Sequence, residues 1–297
     1  MPLQKLQFQS GINKESTSYA NEGGWFDCDK VRFRSGFPEK IGGWEKIGNN
    51  SFLGTCRALH PWRTLGLDLF LGLGTSSKYY IESGQGYYDI TPLRETTAAG
   101  GATFARVGVG DATLTVADPS HGAFAGDFVT FSGAASLGAD ITAAILNQEY
   151  QIDTIVDSNS YKIKARAVAT VDSITVDGVY TPTLITAASG DSGNGGGSIV
   201  AAYQVSTGLN SSVFGTGWGA GTWGRNTWGS AASLTLTDLL RIWTHDNFGE
   251  DLIINVRDGD IYLWDASAAQ ALSTRATSLA ARAAAAGLTG APTVATK

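Results

Sequence analysis

The chain has 297 residues, of which 43% are apolar and only 16% are charged, whereas about 25% of residues are charged in typical soluble domains. Its net charge of −6 gives it no overall basic surface for gripping nucleic acid, and two cysteines are too few for a disulfide framework or a zinc site. This composition, with 38 Gly and 8 Trp, predicts loop-rich β structure in one large domain or two to three smaller ones.

The negative charge is concentrated in residues 99–200, where ten acidic and four basic side chains account for the whole excess. The amino-terminal sequence MPLQKLQFQSG has no apolar stretch typical of a signal peptide. No apolar run approaches the ~18 residues of a membrane helix. We therefore expect a protein made in the cytoplasm, without a signal peptide or membrane insertion, whose two thiols are buried and reduced.

Residues 1–48 are rich in aromatic and charged side chains and predict an amino-terminal docking segment. Alternation of apolar and basic residues at 31–34 predicts a half-buried strand. A turn is expected at 36–38 and a return strand at 39–41, bracketed by two Gly-Gly-Trp motifs.

Aromatic and basic side chains of this segment are candidates for a partner or subunit interface, because such a strand can dock a partner or stack on bases. These candidates are Trp25, Arg32, Phe33, Arg34 and Trp44. The simpler interpretation, in which the three aromatics only pack a small core, is favoured because most aromatics are buried for packing. Contacts of Arg32, Arg34 and Arg225 with DNA phosphates are a weaker hypothesis, since most surface arginines are solvated or paired.

Two stretches of the chain resemble each other at one constant offset. DLFLGLGTSSKYYI at 68–81 and DLIINVRDGDIYLW at 251–264 each contain a short apolar run, a turn and an aromatic run, which is typical of an antiparallel hairpin. Each has a tryptophan upstream, Trp62 or Trp243, on an expected preceding strand. Strands that recur with an aromatic in register predict propeller blades; two unrelated hairpins remain the alternative.

The rest of the chain divides by composition. The predicted domains are the docking segment at 1–48, a first blade region at 49–99, an inserted acidic β domain at 100–180, a Gly/Trp-rich loop region at 181–233, and a second blade-like unit with an Ala-rich segment at 234–297. The fold class is therefore mainly β: a β-propeller, incomplete in this chain, with an inserted small β domain. About two blades can be counted, where a closed propeller has roughly four to eight.

Alternating Thr, Val and Ile residues mark the strands of the inserted domain. They are predicted at 112–116, 128–131, 150–155, 161–165 and 173–176, with a hairpin turn at 157–159. In the loop region, three tryptophans recur every five residues between glycines, a period of neither strand nor helix. These three, Trp218, Trp223 and Trp228, are further interface candidates; they either bind a sugar or subunit, or fold back over the blades.

The Ala-rich segment at 266–286 predicts a helix, with Leu272 and Leu279 on one face and Gly287 as its stop. The three histidines, at 60, 121 and 245, each stand alone in the sequence. No HExxH, CxxC or GxSxG motif occurs, and Asp/Asn/Gly clusters are more often turns than calcium ligands. We therefore predict no enzyme, no metal site and no cofactor.

An ordered set of motifs covers residues 8–46: GINKE at 11–15, EGGW at 22–25, KVRFR at 30–34 and PEKIGGW at 38–44. This series resembles the amino-terminal signature of the tail nozzle family of short-tailed bacteriophages, also called tail tubular protein B or packaged-DNA stabilization protein. The Gly-Trp run at 218–228 and the GAPTV sequence at 290–294 are similar to that family too.

The resemblance implies a virion protein that forms a homohexameric ring with a β-propeller body. Such a nozzle lies below the tail adaptor and portal, contacts tail fibres or spikes, closes the channel over packaged DNA and opens for genome ejection. DNA would pass without sequence-specific binding, and an acidic chain suits that passage because it avoids strong phosphate attraction. Members of the family are longer than this chain, and they supply no catalytic residues.

Two alternatives remain open. The first is a receptor- or glycan-binding tail propeller, lectin-like, that uses the three tryptophans of the loop region to stack on sugars. The second is an enzyme such as a tail depolymerase, whose paired carboxylates a sequence alone does not identify.

Overall fold

The computed structural model describes residues 9–15, 17, 19–43, 50–168, 182–208, 240–256, 259–268 and 271–288. These residues form a mainly β protein of antiparallel sheets, as predicted. The chain divides into two units, Met1–Asn49 and Asn50–Lys297, called here the N-terminal and C-terminal units. The predicted domain boundaries themselves stay predictions.

The N-terminal unit contains one β-hairpin, formed by β1 (Val31–Arg34) and β2 (Phe37–Lys40). The predicted strand at 31–34 and its alternation are confirmed, since its apolar residues are half-buried and its arginines exposed. The turn predicted at 36–38 is wrong, because Ser35 (φ 51°) and Gly36 (φ 85°) form a two-residue turn. Positive φ at both positions matches the twist of the flanking strands, so Phe37 already belongs to the return strand.

The C-terminal unit begins with a four-stranded meander, the first sheet. Its strands are β3 (Cys56–Arg63), β4 (Leu69–Thr75), β5 (Tyr79–Ser83) and β6 (Gly86–Asp89), each paired with the next.

Two further four-stranded sheets follow and enclose a shared core; we call them the two-sheet module. Their strands are β7 (Leu93–Thr96), β8 (Thr103–Arg106), β9 (Thr113–Ala117), β10 (Phe128–Ser132), β11 (Glu149–Gln151), β12 (Thr154–Asp157), β13 (Ser160–Lys164) and β14 (Val200–Gln204), with a short helix α1 (Ala143–Leu146). The strand orders are β11-β10-β14-β7 and β12-β13-β9-β8. Phe104, Phe131, Tyr150 and Tyr161 are among the side chains of this core.

The strand predictions for this module hold with two differences. The single strand predicted at 150–155 is wrong, because β11 and β12 belong to different sheets: the Ile152 N–H donates to Asp127 O and the next N–H, of Asp153, to Lys162 O. β14 pairs with β10 on one side and with β7 on the other, so strands on both sides of residues 100–180 belong to the two-sheet module. The turn at 157–159 is confirmed, and the strand predicted at 173–176 lies outside the described residues.

A fourth four-stranded sheet, the last sheet, is another meander. Its strands are β15 (Trp243–Phe248), β16 (Asp251–Val256), β17 (Ile261–Trp264) and β18 (Thr277–Ser278). A 3₁₀ turn (Ala271–Ser273) precedes β18, and α2 (Leu279–Ala285) follows it.

The helix predicted over 266–286 is wrong in length. Thr277 and Ser278 pair with β17, and such residues favour strands or caps over helix interiors. Leu272 and Leu279 consequently do not share a helix. The stop is confirmed, since Gly287 has a φ of 71° just beyond α2.

Both hairpins of the sequence repeat are confirmed, but not the single offset between them. Leu71 pairs with Glu82 in the first sheet, whereas its sequence counterpart Ile254 pairs with Tyr262 in the last. The two upstream tryptophans are not in register either, because Trp62 lies near the end of β3 and Trp243 begins β15. The two tryptophans are out of register because the loops that follow their strands differ in length. Residues 64–68 join β3 to β4, whereas only residues 249–250 join β15 to β16.

Candidate interaction surfaces

The predicted interface residues of the N-terminal unit lie on or beside its hairpin. Phe33 packs against Trp25, with ring centroids 6.2 Å apart, and both remain half-buried. Arg32 and Arg34 are exposed, and the Arg32 Nε donates to Glu39 Oε2 across the hairpin at 3.0 Å. Trp44 lies outside the described residues, as do the three tryptophans Trp218, Trp223 and Trp228 and the arginine Arg225.

No residue in the described part of the N-terminal unit is fully buried, and the Trp25–Phe33 contact is the part of the predicted small core that the structure describes. Other large apolar side chains of this unit face solvent. Those that are about half or more exposed are Ile12, Tyr19, Phe26, Phe37 and Ile41, with Tyr19 at 96%. So many exposed apolar groups on so short a segment make this surface a candidate for interaction, because so short a segment buries little area of its own.

The first and last sheets of the C-terminal unit meet along their first strands, at a contact called here the seam. Three contacts follow each other in the same order along β3 and β15. The Arg57 Nη1 donates to Arg241 O at 2.9 Å, the rings of His60 and His245 lie 4.9 Å apart, and the Trp62 Nε1 donates to Glu250 O at 3.1 Å. Equivalent strands of the two meanders therefore lie side by side and run in the same direction.

Aromatic side chains fill the rest of the seam. Trp264 contacts Trp62 and Phe70 edge-on, with centroids 6.1 and 5.5 Å away. Trp243 packs edge-on against Tyr79 at 5.2 Å and covers Gly74, where an added Cβ would lie 2.8 Å from the indole ring. Edge-to-face aromatic pairs add to the free energy gained from burial, so the seam is a packed core.

Two of the three histidines, each alone in the sequence, meet at the seam. The Nδ1 of His245 lies 2.8 Å from the Tyr79 hydroxyl, and the Nε2 of His60 bonds to the Asn247 side chain. Burial and the neighbouring His60 lower the pKa of His245. Both rings are held by hydrogen bonds across the two sheets, so protonation of His245 is coupled to the seam.

The third histidine, His121, has a structural environment. Its Nδ1 accepts a hydrogen bond from the Ala123 N–H at 3.0 Å, and its Nε2 lies 3.1 Å from Asp157 O. Its ring packs against Tyr161 with centroids 4.9 Å apart. It is buried, so it holds a loop of the two-sheet module in place.

A buried network of four charged side chains ties the two-sheet module to the first and last sheets. The Lys78 Nζ donates to Asp89 at 2.7 Å and to Glu149 at 2.5 Å. Arg275 reaches the same two carboxylates at 3.3 and 3.4 Å. Lys78 is only 6% exposed, so each positive charge depends on carboxylates from different sheets.

The network shifts the pKa values of two of its members, Lys78 and Asp89. Burial by itself lowers the pKa of Lys78, but the Asp89 and Glu149 carboxylates outweigh burial and raise that pKa above its usual value. Burial likewise raises the pKa of Asp89, yet Lys78 and Arg275 outweigh it and lower the pKa to about 2. Lys78 and Asp89 are therefore both charged at neutral pH.

The described residues offer little for chemistry of other kinds. They contain no cluster of three or more His, Cys, Asp or Glu side chains placed to hold a metal ion. Cys28 and Cys56 are free thiols, and both are half-buried, not buried as predicted. In the same part of the chain, no helix has the length and apolar character needed to cross a membrane.

Comparison with known proteins gives little guidance. A scan against protein-family models finds no match, and a search of curated proteins finds none either. Among solved structures, the chain is similar to the phage phi92 endosialidase at 13% identity, over 76% of this chain and 30% of that one, with a TM-score of 0.21. At that score we derive neither fold nor function from the similarity.

Proposed function

We propose that this chain is a structural subunit of a short-tailed phage tail, forming a homohexameric nozzle that closes the DNA channel and opens for ejection. One observation carries the proposal: the segment with the nozzle-like motifs folds as a hairpin unit with no buried side chain among its described residues. A unit of that kind gains stability when a neighbouring chain covers it. Assembly is therefore the role that its structure favours.

The seam supports a propeller body for this subunit. Sheets repeated by rotation about a common axis place equivalent strands side by side in the same direction, as β3 and β15 are. Two sheets related by a two-fold axis perpendicular to their strands would instead bring equivalent strands together in opposite directions. A closed propeller has roughly four to eight blades, and the first and last sheets are the two that the proposal takes as blades.

The proposed partners are further copies of the chain, a tail adaptor above the ring, and tail fibres or spikes. Packaged DNA passes through the ring without sequence-specific contacts, and the proposal contains no catalytic step and no cofactor. The site of action is the virion tail. A net charge of −6 supports passage of DNA, because phosphate attraction grows with the number of basic contacts.

Native mass spectrometry of the full chain, with negative-stain images, tests this proposal. We expect six-fold rings with a central channel. Phe37→Ser in the N-terminal unit should weaken ring formation, whereas Leu65→Ser, at a residue 90% exposed on the β3–β4 loop, serves as the matched control and should not. A monomer that binds a glycan array would instead establish the lectin-like alternative, and release of reducing sugar from host polysaccharide would establish a depolymerase; either result overturns the proposal.

A further inference from the structure

The hairpin of the N-terminal unit has two edges with different hydrogen-bonding capacity. Its two-residue turn makes Arg34 and Phe37 a hydrogen-bonded pair, and the same holds two residues further on for Arg32 and Glu39. The backbone N–H and C=O groups of Val31 and Phe33 consequently point away from β2. They form the outer edge of β1.

No backbone hydrogen bond from the described residues reaches Val31 or Phe33 at this edge. The opposite edge, on β2, is different. Pro38 pairs with Phe33 and occupies the outward position on its own strand, where it has no N–H to donate. Proline at an edge strand blocks further pairing, so the hairpin is open for strand addition on the β1 side.

The side chains of β1 determine which residue types an added strand would need. Val31 and Phe33 lie on one face, and the exposed Arg32 and Arg34 lie on the other. Arg32 shares its charge with Glu39, whereas Arg34 is opposite Phe37 and forms no ion pair within the described residues. A neighbouring strand would therefore place apolar groups beside Val31 and Phe33, and carboxylates beside the arginines.

Pairing of β1 with β1 of a second copy is disfavoured. An antiparallel register that keeps the apolar residues of both strands on one face places arginine directly opposite arginine. Like charges directly opposite each other destabilise a sheet. The open edge thus selects a strand of different sequence.

We propose that the outer edge of β1 is a docking site for an extended strand of a partner chain in which apolar and acidic residues alternate, added by main-chain pairing. Strand addition of this kind takes its affinity from backbone hydrogen bonds and its specificity from alternate side chains. The inference deepens the proposed assembly role and rests on it, because it gives the chemistry of the segment that covers the N-terminal unit.

The edge itself is tested with two proline variants of the full chain. Val31→Pro removes an outward N–H from the open edge and no donor of the β1–β2 pairing; Lys40→Pro removes an outward N–H from the edge that Pro38 already blocks. The probe is a fluorescent eight-residue peptide that alternates valine and glutamate. We expect Val31→Pro to weaken binding about tenfold, the equivalent of one to two hydrogen bonds, and Lys40→Pro to change it less than about twofold. Equal effects of the two prolines overturn the proposal.

The charge selectivity is tested with Arg34→Glu and a second peptide that alternates valine and lysine. This variant should lose the acidic peptide and gain the basic one. If the unchanged chain binds neither peptide, or binds a DNA duplex in a way that depends on Arg34 but not on Val31→Pro, the proposed strand site is wrong. Six-fold rings that form equally in both proline variants would leave the nozzle proposal standing and remove only this inference; absence of rings would remove the nozzle proposal.

Discussion

The N-terminal and C-terminal units use the same kinds of residues in opposite ways. In the N-terminal unit, the Arg32–Glu39 ion pair is about half exposed at both ends and the Trp25–Phe33 contact stays half-buried. In the C-terminal unit, Lys78 is buried between two carboxylates, and aromatic pairs fill the seam. The difference shows that burial, and not residue type, decides which unit is held by buried contacts of its own.

The largest expected effect comes from breaking the buried network. Lys78→Met leaves Asp89 and Glu149 with Arg275 as their remaining cation, and removing one partner of a buried pair costs about 3–5 kcal/mol. The matched change in the N-terminal unit, Arg32→Met, removes an exposed pair, for which about 0–1 kcal/mol is typical. Equilibrium denaturation of both variants measures the contrast, and similar losses in the two would contradict it.

The seam offers a second contrast, between two glycines. In Gly74→Ala the new methyl meets the Trp243 ring at 2.8 Å, and the ring is fixed because its Nε1 donates to Thr75 O at 2.8 Å. Overpacking of this kind costs about 1–3 kcal/mol. Gly43 in the N-terminal unit has nothing within 4 Å of an added Cβ, so Gly43→Ala should be nearly neutral. Urea midpoints at constant m-value check both; a silent Gly74→Ala would mean that the two sheets do not meet at this position.

The sequence predicts the local parts of this fold better than the contacts between them. Alternation of residue types along the sequence predicts the strands of the hairpins. The Trp25–Phe33 contact is expected because both aromatic residues lie on or beside one predicted strand. Lys78 and Glu149 carry no local signal, because their pairing depends on how the two-sheet module sits against the first sheet.

The histidine pair was missed for a different reason. At the constant offset of the two repeats, His60 corresponds to Trp243 and not to His245. Compared at the strand ends that precede their loops, Arg63 and Phe248, the two repeats place His60 and His245 at equivalent positions. The lengths of the loops after these strands, which set hairpin register, are the sequence feature that places the two histidines at equivalent positions.

Acid should weaken the C-terminal unit through Asp89. Its folded pKa of about 2 lies below the ordinary value of about 4. Its contribution, on the order of 2 kcal/mol, is thus fully present above pH 4 and is lost as the pH falls from 4 to 2. Asp89→Asn should flatten this part of the stability–pH curve, whereas Glu39→Gln in the N-terminal unit should not. Thermal unfolding at several pH values measures this dependence. A wild-type stability curve that is flat from pH 4 to 2 would refute the assignment of the acid effect to Asp89.

The smallest expected effect is a pH dependence near neutrality that belongs to the C-terminal unit alone, since all three histidines of the chain lie there. The pKa of His245 is lowered in the folded protein, so the unfolded chain takes up a proton more readily. Stability should therefore decline as the pH falls below about 6.5, and the decline should stop below the folded pKa, where both states are protonated. His245→Asn should remove most of this slope. If instead the slope survives in His245→Asn, protonation of His245 is not coupled to the seam, and the contact between β3 and β15 is held by the aromatic packing and by the Arg57 and Trp62 hydrogen bonds.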